Sequence, residues 1–481
     1  MYIGIDVGTS TVKAAAFDER GGALAVESRP VALDIRGGRV EQDMDEVYGA
    51  VVDVLAALTA GAGEPVELVG LTGQGDGVWL VDESGRPVRP AISWMDGRAH
   101  ELVDRWQASG VFESVFRRTG SAMFPGCPGP VLAWLDRHEP KSLDAAATAL
   151  YCKDMVFQRL TGVRATDVSD ASMPFLDPRT RAYSPEVLDA LGLAHRRELL
   201  APVSDPVAVG ELPTGTRIAN GPYDLPACAL GAGVTEPGDG LLIVGTCLAS
   251  LVAACELDLT GEPAGLYIST DRPGRWLRAM PAMVGTAALD WVLNTTGVPH
   301  TEVDALLAGA PAGANGVRVQ PYFAPSGERA PFVEPRLRAE LTGVSLESTK
   351  ADLIRATCEG IGFAARHCLE AAGLTGSLAI CGGGTRSPAW MRLFADVLGR
   401  PLRIVEGEVG ARGAVLAAAE RYGVELDVAS WTAPTAVLEP NPERSAFYAR
   451  AYEEHLGRLA SSRARARSER AVEEHQGGPR T

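Results

Sequence analysis

The sequence predicts an α/β protein of two domains, and three observations lead there. The chain has 481 residues, more than one core usually serves. Apolar strand-like runs alternate with segments of helical period along most of its length. The second half also restarts with the pattern that opens the first. Hydrophobic residues at 46% against 22% charged are the proportions of a folded globular chain, so a buried core is expected in each half.

The opening reads as strand, tight turn, strand. Tyr2-Ile3-Gly4-Ile5 is apolar, Asp6-Val7-Gly8-Thr9-Ser10 turns, and residues 12–17 run apolar into a second turn, Asp18-Glu19-Arg20-Gly21-Gly22. Residues 23–27 are a third strand. A helix follows at 44–60, with Val47, Val51, Val54, Leu55 and Leu58 on one face. Residues 66–72 are a strand ending in a glycine-rich turn, and 78–81 another, closed by Asp82-Glu83-Ser84-Gly85. From 99 to 200 the pattern is mostly helical with proline-rich interruptions. Gly221-Pro222-Tyr223-Asp224 opens onto a small-residue stretch at 227–233, and Pro237-Gly238-Asp239-Gly240 reads as a domain hinge.

There the pattern restarts. Residues 241–244 are apolar, Gly245-Thr246-Cys247 turns, and 248–255 is apolar again, an echo expected of a duplicated phosphate-binding hairpin. A long helix occupies 351–372. A strand at 377–381 runs into Gly382-Gly383-Gly384 and a helix at 388–398, then a strand at 401–405 and a helix at 411–421. Past Ser445, Tyr448, Tyr452, Leu456 and Leu459 share one helical side. Beyond Ser461 come Arg463, Arg465, Arg467 and Arg470 among small and polar residues. That run reads as an anion-binding tail or, more commonly for such composition, as a solvated and frayed terminus. The expected domains are 1–236 and 237–442, followed by a C-terminal helix and flexible tail at 443–481.

Charge and cysteine usage exclude several functions. A formal net charge of -16 repels a polyanion over most of the surface and argues against nucleic-acid binding. It leaves room for a local phosphate site built from backbone N–H groups and a few cations. Eight cysteines (Cys127, Cys152, Cys228, Cys247, Cys255, Cys358, Cys368 and Cys381) form no C-x-x-C pair and no cluster with histidine. The opening MYIGIDVGTS has neither a basic n-region nor a long apolar stretch. A cytoplasmic chain with reduced thiols is expected. The run 241–255 is interrupted by Gly245, Thr246 and Ser250 and falls short of the ~20 residues that cross a bilayer, so no membrane association is expected.

Three stretches carry chemistry. In the first turn, one glycine, the hydroxyls of Thr9 and Ser10 and the cation of Lys13 suit phosphate oxygens, and Asp6 could hold a metal through water. An ordinary β-turn with a capping aspartate is the plainer reading. No G-x-x-x-x-G-K-[ST] and no G-x-G-x-x-G after a strand occurs, so neither a P-loop nor a dinucleotide fold is indicated. Three glycines, Gly382 to Gly384, between a strand and a helix exceed what a tight turn needs and favour a ligand against the backbone. Asp224 before a helix is either an N-cap or a general base for an attacking hydroxyl, and the sequence leaves both open.

With these stretches in view, the chain resembles the FGGY carbohydrate kinases, which include xylulokinase, glycerol kinase, L-xylulose kinase and erythritol kinase. Tyr2 to Lys13 resembles the family's first phosphate motif, and Val244-Gly245-Thr246-Cys247 its second. Cys381 to Ser387 resembles its adenosine motif, with Gly410-Ala411-Arg412-Gly413-Ala414 closing the nucleotide site. Ser326-Gly327-Glu328-Arg329 is similar to the S-G-E-R segment, and Gly343-Val344, Asp352-Leu353 and Ala356-Thr357-Cys358-Glu359 to the C-terminal signature. The match runs in order from Met1 to about Arg421.

The resemblance implies two actin-like (ribonuclease H-like) domains with a nucleotide cleft between them, and an ATP-dependent sugar or polyol kinase. It implies Asp224 as catalytic base, and Mg²⁺ near Asp6 and Asp224. Thr9, Ser10, Lys13, Gly245, Thr246, Gly382, Gly383, Gly384 and Ser387 would bind ATP. Gln74, Gly75, Asp76, Trp94, Asp96 and Arg98, with Asp224, would bind the substrate; Asp76 offers two acceptor oxygens to hydroxyls. Gln74-Gly75-Asp76-Gly77-Val78-Trp79, Val40 to Met44 and Tyr151-Cys152-Lys153-Asp154 look closest to erythritol kinases. Val131 stands where the family's first signature has a lysine, and Cys127-Pro128 also departs from the erythritol kinase pattern. A four- or five-carbon polyol such as erythritol is favoured, with a ketopentose such as xylulose beside it. An actin-like ATPase without a sugar substrate would share the hairpins and the glycine turn. It would leave Gln74-Gly75-Asp76, Ser326 to Arg329 and Asp224 without a purpose. A homodimer fits the family, although no interface stripe is visible.

Overall fold

The computed structural model describes residues 1–60 and 64–476, which form two compact units. The first comprises Met1–Thr235, Ala253–Arg278 and Gly407–Ala433; the second comprises Glu236–Val252, Ala279–Glu406 and Pro434–Thr481. A single cut near 236 therefore misses two excursions. The segment 407–433, expected in the second domain, packs in the first.

In the first unit a sheet is built from β1 (Tyr2–Val7), β2 (Thr11–Phe17), β3 (Ala23–Pro30), β4 (Leu68–Gly73), β5 (Val209–Glu211) and β6 (Arg217–Asn220), in the order β5-β6-β4-β1-β2-β3. β1 runs antiparallel to β2 and parallel to β4, and β4 runs parallel to β6. Ile3, Ile5, Val7, Val69 and Leu71 are fully buried along the two central strands, the near-continuous apolar pattern of a sheet covered on both faces. Helix α1 (Met44–Ala60) covers one face with Val47, Val51, Val54 and Leu58, as its period predicts.

The stretch from 99 to 200 contains α2 (Pro128–His138) and α3 (Cys152–Thr161), along with other helices of ten residues or fewer and two- or three-residue strands. Val131 is wholly buried in α2, inside an apolar cluster with Leu132 and Leu135. A lysine there would need a partner for its charge. Helix α4 (Asp224–Gly231) follows β6.

The second unit repeats the plan. Strands β7 (Gly240–Val244), β8 (Leu248–Ala254), β9 (Leu378–Cys381), β10 (Leu402–Ile404) and β11 (Ala436–Leu438) lie in the order β8-β7-β9-β10-β11. Their senses are antiparallel, parallel, parallel and antiparallel, the same series as β2-β1-β4-β6-β5 in the first unit. The sequence echo at the two hairpins is thus an echo of five consecutive strands, which Trp276–Pro281 and Leu266–Ser269 extend beyond β8 in the second sheet. The covering helices are α5 (Thr286–Thr296), α6 (Val303–Gly309), α7 (Lys350–Ala371) and α8 (Pro388–Leu398). A capping box in which Asp352 and Thr349 exchange hydrogen bonds starts α7.

Helix α9 (Val409–Tyr422) belongs to the first unit. It lies so close that a Cβ on Gly4 would sit 2.1 Å from the Ala411 carbonyl oxygen, and one on Gly413 1.8 Å from that of Ala227. Glycine at both positions is what permits backbone-to-backbone packing.

The arginine run does not fray as expected. It continues α10 (Pro442–Gln476), whose buried Tyr448, Tyr452 and Leu459 dock it on the second unit. The Arg463 guanidinium stacks 4.1 Å from the Phe332 ring, and Arg467 Nε lies 3.1 Å from Glu334 Oε2. The side chain of Arg470 and residues 477–481 lie outside the described residues. Among the described residues no helix is long and apolar enough to cross a membrane, and all eight cysteines are free thiols.

Candidate active site

Parallel strands place their carboxyl ends along one edge, and in open α/β sheets ligands collect there. In the first unit that edge is formed by β1, β4 and β6. Asp6 lies on β1 in register with Thr72 on β4 and Lys13 on β2. Gln74 leaves β4 with its amide bonded to the Val7 carbonyl at 2.9 Å, and Gly221 leaves β6 bonded to that of Leu71 at 2.8 Å. The Thr72 hydroxyl ties the two exits together by donating to the Pro222 carbonyl at 2.6 Å. The backbone then delivers Asp224 as the first residue of α4. Tyr223 occupies the cap position, and no side chain caps that helix. The N-cap reading of Asp224 therefore does not hold.

Asp6 raises the cost of ionising Asp224. Desolvation first, then the charges of Asp6 and Asp76, push Asp224 from the ordinary 3.8 to about 8, against a backbone hydrogen bond from Leu225. Asp6 is pushed up to about 6, first by desolvation and then by Glu408, with Lys13 pulling down. Lys13 Nζ lies 3.3 Å from Glu408 Oε2. Glu408 precedes α9, nearly four hundred residues beyond Lys13 in the chain, and nothing in the sequence announced it. A Cβ on Gly410 would lie 2.9 Å from Asp6 Oδ2. Gly410, at the start of the Gly410–Ala414 segment, thus backs the Asp6 carboxylate.

The predicted substrate segments divide into residues that face the site and residues that hold it together. Gln74 is spent internally. Its Nε2 donates to Gln42 Oε1 at 2.8 Å, and its Oε1 accepts from Thr9 Oγ1 at 3.1 Å. Trp94 Nε1 donates to the same Thr9 hydroxyl at 2.9 Å, and Gln42 Nε2 to the Thr9 carbonyl at 2.8 Å. Thr9 and Gln74 are thereby fixed as one network.

Asp96 and Arg98 are also internal. Arg98 Nε donates to Asp96 Oδ1 at 2.8 Å, Asp96 Oδ2 accepts the Val40 amide at 2.6 Å, and Arg98 Nη2 reaches Glu41 at 2.6 Å. With the Arg98 side chain 2% exposed and that of Asp96 fully buried, this pair braces the segment that presents Trp94. Asp76 differs. It adopts φ +58°, a left-handed backbone that aspartate tolerates better than most residues, and its neighbour Gly75 packs on the Tyr223 ring.

Behind Asp224 lies a buried ion cluster. Lys153 Nζ, wholly inaccessible, sits 2.7 Å from Asp154, 3.0 Å from Asp167 and 3.1 Å from Asp170. Asn220 Nδ2 donates to Asp154 Oδ1 at 2.7 Å, and the Tyr223 amide to Ser169 Oγ at 3.2 Å. Both ends of the segment carrying Asp224 are thus pinned to one charged core. Three carboxylates around one ammonium leave excess negative charge, and Asp170 is pushed well above the ordinary carboxylate range, first by desolvation.

In the second unit the carboxyl ends of β7 and β9 carry the other predicted residues. Gly245 and Thr246 form the turn between β7 and β8. Thr286 at the start of α5 donates its amide to the Gly245 carbonyl at 2.9 Å. Gly382 has φ +100°, and a Cβ there would lie 2.7 Å from the Val244 carbonyl oxygen; one on Gly384 would lie 2.3 Å from Val244 Cγ1. Gly383 meets nothing within 4 Å. Two of the glycines therefore serve close packing, and the third presents open backbone. Ser387 caps α8 by accepting the Trp390 amide at 3.2 Å and donates to Asp304 Oδ1 at 2.7 Å, so its hydroxyl is committed to the fold. Glu328, within the S-G-E-R segment, accepts amides from Met283 and Arg329 at 2.7 and 2.8 Å. It is pushed up to about 7, first by desolvation.

The chain and its fold have known relatives. Residues 1–214 match the N-terminal domain of the FGGY family of carbohydrate kinases, and residues 243–421 its C-terminal domain. The chain is 34% identical over 494 residues to an erythritol kinase of Brucella abortus (strain 2308), covering 94% of both chains. It is 31% identical over 470 residues to a xylulose kinase of Escherichia coli (strain K12), covering 92% of this chain and 91% of that one. A solved xylulose kinase from Rhodospirillum rubrum superposes with a TM-score of 0.87 at 29% identity, over 97% of this chain and 99% of that one.

Proposed function

The chain belongs to the FGGY family of carbohydrate kinases, and on that premise we propose that it transfers the γ-phosphoryl group of ATP to a hydroxyl of a four- or five-carbon polyol such as erythritol, with a ketopentose such as xylulose as the second choice. The observation that carries this reading is the grouping of Asp6, Asp76 and Asp224 at one sheet edge, close enough that both other charges raise Asp224. A base with a proton affinity well above that of a free carboxylate is matched to an alcohol near neutral pH. Asp224 takes the proton of the attacking hydroxyl, and Asp76 accepts hydrogen bonds from neighbouring hydroxyls. Trp94, held by Thr9, supplies an apolar wall for the carbon chain.

The residues also fit Mg²⁺. Asp6 and Asp224 are two carboxylates whose mutual repulsion a cation relieves, and Mg²⁺ is commonly held by one or two carboxylates together with phosphate oxygens. Bound there, it would neutralise charge on the ATP phosphates. Lys13, Thr9 and Ser10 in the first unit, and Gly245, Thr246 and the open backbone of Gly383 in the second, are the proposed phosphate and nucleotide contacts. The free thiols accord with a role in the cytoplasm.

Two considerations favour a polyol. Asp76 is an acceptor for hydroxyls, and the erythritol kinase is the more similar of the two relatives described above. The deciding experiment is ADP release with Mg-ATP against erythritol, D- and L-arabitol, xylitol, ribitol, D- and L-xylulose, D- and L-ribulose and glycerol. One compound standing clear of the sugar-free background supports the reading and names the substrate. Steady hydrolysis that no compound changes would overturn it.

A further inference from the structure

Tyr223 holds a hydroxyl that the fold does not use. The residue is 2% exposed, and its Oη has no hydrogen-bond partner among the described residues. Four other tyrosines place theirs: the hydroxyls of Tyr183 and Tyr422 donate to carbonyls at 2.8 Å, and those of Tyr448 and Tyr452 to carboxylates at 2.8 and 2.9 Å. A phenol buried without a partner is costly, so its place beside Asp224 calls for a reason.

The ring is held firmly. Its amide is bonded to Ser169 Oγ at 3.2 Å. Gly75 makes room for it, since a Cβ there would lie 2.6 Å from the ring carbon Cδ2. The charges that bear on the hydroxyl are those of Asp76 and Asp224, then Asp170 and Asp167. The last two are committed to Lys153. The phenol O–H is a hydrogen-bond donor.

We propose that Tyr223 is a specificity-determining residue whose hydroxyl donates to a substrate hydroxyl oxygen, while that same hydroxyl donates its proton to a neighbouring carboxylate. A hydroxyl can accept from the phenol and donate to a carboxylate at once, and a neutral polyhydroxy compound supplies several. A sugar acid meets the same aspartates with like charge and is rejected. The assignment rests on the reading of Asp76 and Asp224 as the polyol site.

The test is Tyr223→Phe, which removes the oxygen alone. Polyol affinity, measured by titration calorimetry without nucleotide and as KM, is expected to weaken about tenfold, the worth of one neutral hydrogen bond. KM for ATP should stay within about twofold. The melting temperature of the free protein should hold or rise, because an unpaired buried hydroxyl has gone. A merely structural tyrosine gives the opposite pattern, a lower melting temperature with polyol affinity unchanged, and that result overturns the assignment. So does unaltered polyol affinity at any melting temperature. A wild-type protein that neither binds nor phosphorylates any polyol refutes the underlying site reading as well, which separates the two failures.

Discussion

Asp224 is the residue on which the chemistry turns, and its environment sets two opposed expectations. Replacing it with asparagine should lower turnover by about 10²- to 10⁴-fold, the usual worth of a positioned base. The same change should help the fold. A carboxyl whose folded value is raised from 3.8 to about 8 binds its proton more tightly when folded, so stability falls as pH rises through that window. In Mg²⁺-free buffer, Asp224→Asn should match the wild type at pH 4 and melt higher at pH 9, as read by calorimetry; equal melting at both would mean the carboxylate is not strained. Asp76 gives a different signature. Asp76→Ala should raise KM for the polyol at least tenfold and leave KM for ATP nearly unchanged, whereas equal effects on both would make Asp76 structural.

At the scale of elements, α9 packs backbone to backbone with β1, β4 and α4. The Cβ of Gly413→Ala would sit 1.8 Å from the Ala227 carbonyl oxygen, and a buried backbone cannot yield as a flexible side chain does. A loss of about 1–3 kcal/mol or more is expected, as for other overpacked positions, and denaturant unfolding measures it. Gly383→Ala adds its methyl to open space and should leave unfolding nearly unchanged while weakening nucleotide binding. The contrast between these two glycines separates packing from ligand approach.

Ligands act on the molecule as a whole by mass action, since whatever binds only the folded chain stabilises it. At a hundredfold excess over its dissociation constant, Mg-ATP or the true polyol should each add about 2.7 kcal/mol. A thermal-shift panel therefore identifies the sugar independently of turnover, and a reductant should leave the baseline unmoved because all eight cysteines are free. The repeated strand series, antiparallel-parallel-parallel-antiparallel in each unit, puts glycine-bearing turns at the carboxyl ends of both sheets. That duplication is why a three-residue echo between Gly8-Thr9-Ser10 and Gly245-Thr246-Cys247 was legible at all.

Local chemistry writes itself into sequence, and by that route the sequence by itself determined the α/β class, the two hairpins, the glycine turn, the family and the position of Asp224. Strand alternation, turn glycines and motif order are short-range patterns that survive without coordinates. What depends on residues far apart was decided only by the tertiary structure. Glu408 beside Lys13, α9 counted with the first unit, and the Lys153 cluster beneath Asp224 leave no periodic trace. Only the structure shows the protein partners of Gln74, Asp96, Arg98 and Ser387, because those partners come from distant parts of the chain or from its folding back. The arginine run illustrates the same limit. Its composition suits a solvated terminus, but Arg463 stacks on Phe332 and Arg467 pairs with Glu334, contacts from distant parts of the chain that the run itself does not announce.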